Sequence, residues 1–408
     1  MIFIRLVISL VVQRFLAVSL GEVGIAKIGQ FRNLIQIVTS TASFGSFNGI
    51  VKYVSEFSDD KIKLRKVFNT VFALWFVGAI ITSLIIYFNA SWITKQLFGD
   101  LEFLNLIKLF ALLPPIIGVS RIFQGVVNGL SEYKRYAKID LIGYILSTLL
   151  LLACLYVGSL KGVLFSIILS PIIQLLVIIY VLNPIFKKYI EITKLKFKIP
   201  FAREFLGFAL MSFVSSILLN YVEIDIRNSI AGKLSFDEAG YWTSMNFISK
   251  NCMSFSSGIF SLYVIPKFSR IYSGKDFKKE VLYIYKTLLP LFGIGMIAVY
   301  LVRKTIIDVV YPNFYGMEPL FKWQLLGDFI RLAAIVIAHQ FLAKKMVKSF
   351  IATEILSLGL FYLLSKYLIH IYGVEGVVMA HFYRYIIYFF VVLIIVCFCF
   401  VVPKSKKS

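Results

Sequence analysis

Apolar runs recur along the whole chain and are separated by short polar breaks. Most of them reach the roughly 18 to 20 residues that a helix needs to cross a bilayer core of about 30 Å. Spanning helices are expected near residues 1–20, 31–55, 67–89, 104–128, 137–158, 162–183, 205–231, 238–264, 281–302, 319–343, 350–371 and 376–401, about twelve in all. A transmembrane barrel would instead show alternating segments of about ten residues. Runs such as YIIYFFVVLIIVCFCFVV are continuously apolar. A helix also satisfies its own backbone hydrogen bonds in lipid, so an all-α integral membrane protein is expected. The first segment, MIFIRLVISLVVQRFLAVSLG, is apolar like a secretory signal. Gln13 and Arg14 interrupt it and no small-x-small cleavage site follows, so it reads as a retained helix.

Composition excludes a water-soluble domain of this size: the 408 residues are 59% hydrophobic and 16% charged. The four cysteines, Cys154, Cys252, Cys397 and Cys399, show no paired spacing, so neither a disulfide framework nor a zinc site is expected. His339, His370 and His381 lack metal-ligand spacing and read as interfacial or hydrogen-bonded residues. No metal is expected.

Charge changes the picture through its distribution. The breaks after helices 2, 4, 6, 8 and 10 (SDDKIKLRK, SEYKRYAK, FKKYIEITKLKFK, PKFSRIYSGKDFKK and AKKMVK) are basic, as is the tail PKSKKS. The alternate breaks carry one or two cations at most, which places both termini in the cytoplasm. Much of the net charge of +22 follows from this topology and from contact with anionic headgroups, without a nucleic-acid partner. The longest inward connection, 184–203, has proline at both ends and divides a six-helix half at 1–183 from another at 204–402, with a basic tail at 403–408. Halves of six helices share one orientation, so any repeat is parallel. LGEVG at 20–24 and DEAG at 237–240 occupy equivalent outer turns.

An ionisable group at the bilayer centre costs about 2.5 to 3.5 kcal/mol even on the lenient insertion scale, so it pairs or faces water. Candidates are Arg14, Lys52, Arg121, Glu223, Asp225, Arg227, Lys250, Asp328, Arg331, Glu354 and Arg384. Glu223 precedes Arg227 by four residues, the order that lets one helix face pair them. Asp225 points away from both and needs another partner or water. Lys250 lies midway along a segment crowded with Ser244, Asn246, Ser249, Asn251, Ser254, Ser256 and Ser257, so that helix is expected to line something wet. Asp328 and Arg331, three apart, are expected to pair. Glu354 is expected to meet Lys344 or Lys348, and GVVNG at 125–129 to serve helix packing. Two readings of the cations stay open: mutual neutralisation and snorkelling, or attraction of an anion that comes and goes.

Four stretches carry a family resemblance: FNGIVKYVSEFSDD, FDEAGYWTSMNFIS, FSLYVIPKFSRI and FKWQLLGDFIRLAA. Together they resemble the O-antigen translocases, in the branch typified by the enterobacterial common antigen lipid flippase, across essentially the whole chain. That family lies in the multidrug/oligosaccharidyl-lipid/polysaccharide exporter superfamily, which implies two six-helix bundles in a V around a central cavity. The implied substrate is an oligosaccharide repeat unit on undecaprenyl diphosphate, carried from the cytoplasmic to the periplasmic leaflet of the bacterial inner membrane. In that superfamily helices 1, 2, 7 and 8 border the cavity, and here they bear Arg14, Lys52, Arg227 and Lys250. These are the expected diphosphate-binding cations. Glu223, Asp225, Asp328 and Arg331 are the coupling or gating candidates, with a proton or sodium ion as coupling ion and no cofactor otherwise. The polymerase and chain-length regulator of the pathway are the implied partners. The family's first helix is longer than the segment opening this chain, which leaves the depth of Arg14 open, and Glu223 and Asp225 match no family motif.

Two rival functions remain. A cation-coupled drug exporter should favour acids in its cavity, against the cations on helices 1, 2 and 8. An O-antigen polymerase or lipid-dependent glycosyltransferase generally uses a large periplasmic loop with catalytic groups. The outer breaks here are short and hold no paired carboxylates.

Overall fold

The computed structural model describes residues 2–157, 159–189, 197–344 and 346–401, and every regular element among them is helical. The middle of the expected linker, 190–196, and the expected tail at 403–408 lie outside the described residues. By length and apolarity, nine of the described helices can cross a membrane, or ten if one bent pair is a single span. That is fewer than the expected twelve, for two physical reasons. Helix α1 runs Ile2–Ala42, so the outer turn expected after residue 20 is helical and two expected spans merge. Helix α11, Phe236–Ile259, is absent from the candidate spans because its sequence is so polar.

α1 is nonetheless kinked. Gly21 sits at φ 62°, ψ −166°, a conformation that is essentially reserved for glycine. A second glycine, Gly45 at φ 60°, turns the chain between α1 and α2, Phe47–Glu56. The Cβ that Gly45 lacks would stand 2.7 Å from Ser212 Cβ, so this turn is also a close approach. Helix α3, Lys61–Phe88, begins at Asp60, whose carboxylate accepts from the backbone N–H of Ile62 at 3.1 Å and of Lys63 at 3.0 Å. Chiefly the Lys63 N–H, and then the Lys63 charge, hold that carboxyl below its ordinary range.

A short helix, α4 (Ala90–Phe98), precedes the bent pair α5 (Leu104–Phe110) and α6 (Pro114–Gly129), which meet at 47°. The expected span at 104–128 breaks there, where Pro114 and Pro115, which have no backbone N–H to donate, take the first positions of α6. Helices α7 (Tyr133–Val157) and α8 (Leu160–Tyr189) follow. The expected seventh span consists of α9 (Ala202–Ser212), a π-helical stretch Phe213–Leu218, and α10 (Leu219–Lys233). Beyond α11 a second π stretch, Phe260–Val264, leads into α12 (Ile265–Arg270). The chain closes with α13 (Gly274–Leu301), α14 (Arg303–Val310), a 3₁₀ turn Tyr315–Met317, α15 (Leu320–Ala343), α16 (Val347–Tyr372) and α17 (Glu375–Val401).

Two compact units result. The first holds Met1–Leu20 and Lys27–Ile224, the second Gly21–Ala26 and Asp225–Ser408. The first is built around Val67, Phe68, Ile122, Val126, Ile178 and Phe205. Within it α9 packs on α2 through rings: Tyr53 lies 5.7 Å from Phe205 and 5.4 Å from Phe201. The absent Cβ of Gly49 leaves room for Phe205. Small residues let helices approach closely where lipid provides no hydrophobic drive between them. In the second unit α15 is the central helix, with Leu320, Phe321, Leu332 and Val336 fully buried.

Candidate functional site

Of the four expected substrate cations, Arg227 is the one the fold encloses, at 3% exposure. Its Nε donates to Thr243 Oγ1 at 2.7 Å, and its guanidinium lies 5.1 Å from the ring of the buried Trp242. Both partners sit near the start of α11, so one helix orients the guanidinium of another. Lys250, two turns further along α11, is exposed. Arg14 is exposed on α1, and Lys52 on α2 is half-buried with its ammonium 4.7 Å from the ring of Tyr53. Arg14 and Lys52 belong to the first unit, Arg227 and Lys250 to the second.

The opposite charges have partners beyond those that helical spacing offers. Glu223 is buried in the first unit and accepts from Asn33 Nδ2 at 3.1 Å. Asp225, which needed a partner away from Arg227, lies 2.6 Å from Lys366 Nζ on α16. Lys366 also donates to Ser229 Oγ, whose own hydroxyl donates to the Asp225 carbonyl at 2.8 Å. Lys366 is an intramembrane cation visible in the sequence and absent from the candidate set. Nothing local ties it to Asp225.

Asp328 is fully buried on α15, and its carboxylate is met by His381 Nε2 at 3.0 Å, from α17, and by Gln324 Nε2 at 3.4 Å. Arg331, one turn along the same helix, has its guanidinium 5.6 Å from the ring of Tyr385. A turn of α15 carries Asp328 and Arg331 along one face, and α17 adds partners to both that helical spacing does not show. Glu354 likewise accepts from Tyr388 at 3.1 Å, while Lys344 donates to the Ser269 carbonyl at 2.9 Å. Arg384, 5% exposed, donates to Tyr385 at 2.6 Å and stacks 4.3 Å from Phe361.

The polar stripe of α11 is used in two ways. Ser249 accepts from Gln324 at 3.1 Å, and Asn251, Ser254 and Ser256 donate to carbonyls of their own helix at 2.9, 2.7 and 2.7 Å. Those groups are satisfied inside the protein. Ser244 Oγ and Asn246 Nδ2, by contrast, are buried without a hydrogen-bond partner. The three described cysteines are free, and among the described residues no cluster of His, Cys, Asp or Glu could hold a metal ion. Chemically, Arg227 presents a forked guanidinium oriented by Thr243, and Lys250, two turns further along α11, an exposed ammonium; each is a group that can donate to phosphate oxygens.

Comparison with known proteins adds three findings. The model of the family described as "Polysaccharide biosynthesis protein" matches residues 31–317. The lipid III flippase of Escherichia coli (strain K12) is 29% identical over 384 residues, covering 93% of this chain and 92% of its own length. In fold, the chain is similar to an inward-facing multidrug resistance MATE family transporter of the MOP superfamily, with a TM-score of 0.79 at 12% identity over 98% of this chain and 96% of that one. It is similar also to the lipid II flippase MurJ in its inward closed conformation, with a TM-score of 0.70 at 18% identity over 98% and 88%.

Proposed function

The chain belongs to the polysaccharide biosynthesis protein family, and from that premise we propose that it is a flippase for lipid-linked oligosaccharides. It moves repeat units on undecaprenyl diphosphate from the cytoplasmic to the periplasmic leaflet of the inner membrane. The observation that carries this reading is the end-to-end relationship with a lipid III flippase. The fold neighbours include both a drug exporter and a lipid flippase, so fold alone does not choose between those cargoes.

The mechanism is alternating access by rocking of the two halves, 1–183 and 204–402, with both termini in the cytoplasm. The prenyl tail remains in lipid while the diphosphate meets Arg227 and Lys250, with Arg14 and Lys52 contributed by the first half. Arg227 is oriented in advance by Thr243, so less rotamer entropy is lost when it grips phosphate oxygens. Coupling, by a proton or a sodium ion, is assigned to the carboxylates Glu223, Asp225 and Asp328, with Arg331 as a further gating candidate. No bond of the cargo is made or broken, so the chain is a transporter and not an enzyme. The polymerase and chain-length regulator of the pathway receive its product.

Expression in a flippase-null bacterium tests this. The wild-type chain restores surface polysaccharide, and the leaflet holding the lipid-linked oligosaccharide shifts outward. Arg227→Ala and Lys250→Ala each reduce polysaccharide at least about tenfold, the loss expected when one charge-assisted phosphate contact is removed, at unchanged membrane levels. Normal polysaccharide in both variants eliminates the assignment of these cations. Accumulation of the oligosaccharide on the inner side with wild-type protein eliminates transport.

A further inference from the structure

In the second unit a pocket of about 770 Å³ lies where α12 gives way to α13, and none of the residues assigned above to cargo or coupling lines it. Helical spacing builds both walls. Tyr263, Lys267 and Arg270 recur at intervals of four and three residues on the π stretch and α12, and Asp276, Lys279, Glu280 and Tyr283 recur likewise on α13. Such intervals put side chains on one face of a helix. The connection between the two helices, 271–273, lines the pocket as well, and its Tyr272 ring is held 3.7 Å from Lys344 Nζ. The volume falls within the roughly 300 to 1,000 Å³ of ordinary ligand pockets.

The charges of this pocket are answered unevenly. Glu280 accepts from the Tyr263 hydroxyl at 2.7 Å and lies 3.7 Å from the Lys267 ammonium. Arg270 and Lys279 are exposed, and among the described residues neither has an ion-pair partner. With Asp276 also on the wall, the pocket keeps one positive charge in excess. The face of α13 that lines it runs on beyond it. At about 100° per residue, Leu291, Ile294 and Leu301 fall on the same side of the helix and are exposed, whereas Phe277, Val281 and Ile284 fall on the other side and are buried. Pocket and stripe form one surface, charged at the polar end of a candidate span and apolar along its length. Tyr263, Tyr272 and Tyr283 are exposed at the charged end, and tyrosine is a residue type that settles at headgroup level.

We propose that the pocket seats the phosphodiester of an anionic bilayer phospholipid, whose acyl chains lie along the α13 stripe. This lipid site is separate from cargo transport and does not depend on the flippase reading. Arg270 presents a fork to the phosphate oxygens, and Lys279 adds a point charge on the facing wall. One excess positive charge matches one phosphodiester. A zwitterionic headgroup brings its own cation and gains no net attraction from that excess. A soluble phosphate compound would leave the apolar stripe uncovered.

Native mass spectrometry of the purified full-length protein tests this, with phosphatidylglycerol and phosphatidylcholine of the same acyl chains and with glycerol 3-phosphate as probes. Wild-type protein should bind phosphatidylglycerol about tenfold more tightly than phosphatidylcholine. Arg270→Gln combined with Lys279→Gln should abolish that preference. Lys275→Gln combined with Lys278→Gln removes the same charge from α13 positions that do not line the pocket, and should keep it. All four side chains are exposed, so these exchanges leave the fold intact. No preference in wild-type protein overturns the proposal, as does a preference that survives loss of Arg270 and Lys279. An equal loss in the Lys275 and Lys278 variant overturns it too, because charge anywhere on α13 would then suffice. So does displacement of phosphatidylglycerol by an equal concentration of glycerol 3-phosphate, since the stripe would then contribute nothing.

Discussion

Asp328 shows how a single buried carboxylate is kept ordered at membrane depth. Its partners, His381 and Gln324, reach it from α17 and from one turn earlier on α15, and Gln324 also donates to Ser249 on α11. One acid thus anchors a junction of three helices. Removing it leaves the His381 ring without that acceptor and Gln324 with Ser249 in its place, and an unmet buried polar group costs about 1 to 3 kcal/mol. Asp328→Ala should therefore lower the thermal unfolding midpoint of the purified protein, and adding His381→Phe should restore part of the loss by removing the stranded ring. An unchanged midpoint in Asp328→Ala would show that the junction holds by packing alone. The presence of charge at these positions was legible in the sequence. The identity of the partners was not, because Asp225–Lys366, Asp328–His381 and Glu223–Asn33 are all contacts between residues far apart in the chain.

Elements show a similar division. The apolar pattern reads 104–128 as one span, so the break between α5 and α6 was not legible in it, although Pro114 and Pro115 lack the backbone donors of a continuous helix. The helical path through the expected outer turn of α1 was not legible, since GEVGIAKIGQ has the glycines and polarity of a loop. What distinguishes it is the single backbone conformation at Gly21. No atom stands within 4 Å of a Cβ built there, so Gly21→Ala changes backbone strain alone. It should cost on the order of 1 to 3 kcal/mol, read as a lowered unfolding midpoint. A midpoint equal to wild type would mean that α1 reaches the same path without a glycine. The π stretches Phe213–Leu218 and Phe260–Val264 were also invisible in the pattern. One extra residue per turn leaves apolar periodicity almost unchanged in a segment that is apolar on all sides.

For the whole molecule, the charge pattern predicts orientation. Cysteines introduced one at a time at Ser131, Lys275 and Leu234, in a chain lacking its native cysteines, give a direct reading. An impermeant maleimide should label Leu234→Cys in intact spheroplasts and the other two only after permeabilisation. The reverse pattern would invert the molecule and with it the direction of transport. This expectation rests on Lys and Arg in short loops, which insertion retains on the cytoplasmic side.

The sequence by itself determined that the chain is a helical membrane protein with positive charge concentrated in alternate loops, and that several ionisable groups lie inside it. Those properties are sums over local runs: a lipid solvent demands helices, and loop cations resist translocation. Tertiary structure alone decided which charges are answered. Arg227 is oriented by Thr243, Asp225 by Lys366 and Asp328 by His381, while Arg121 is met by Gln124 and the ring of Phe47. The reason is geometric. Helical periodicity specifies which face a side chain shares with its neighbours in sequence, but not which helix comes to lie against that face.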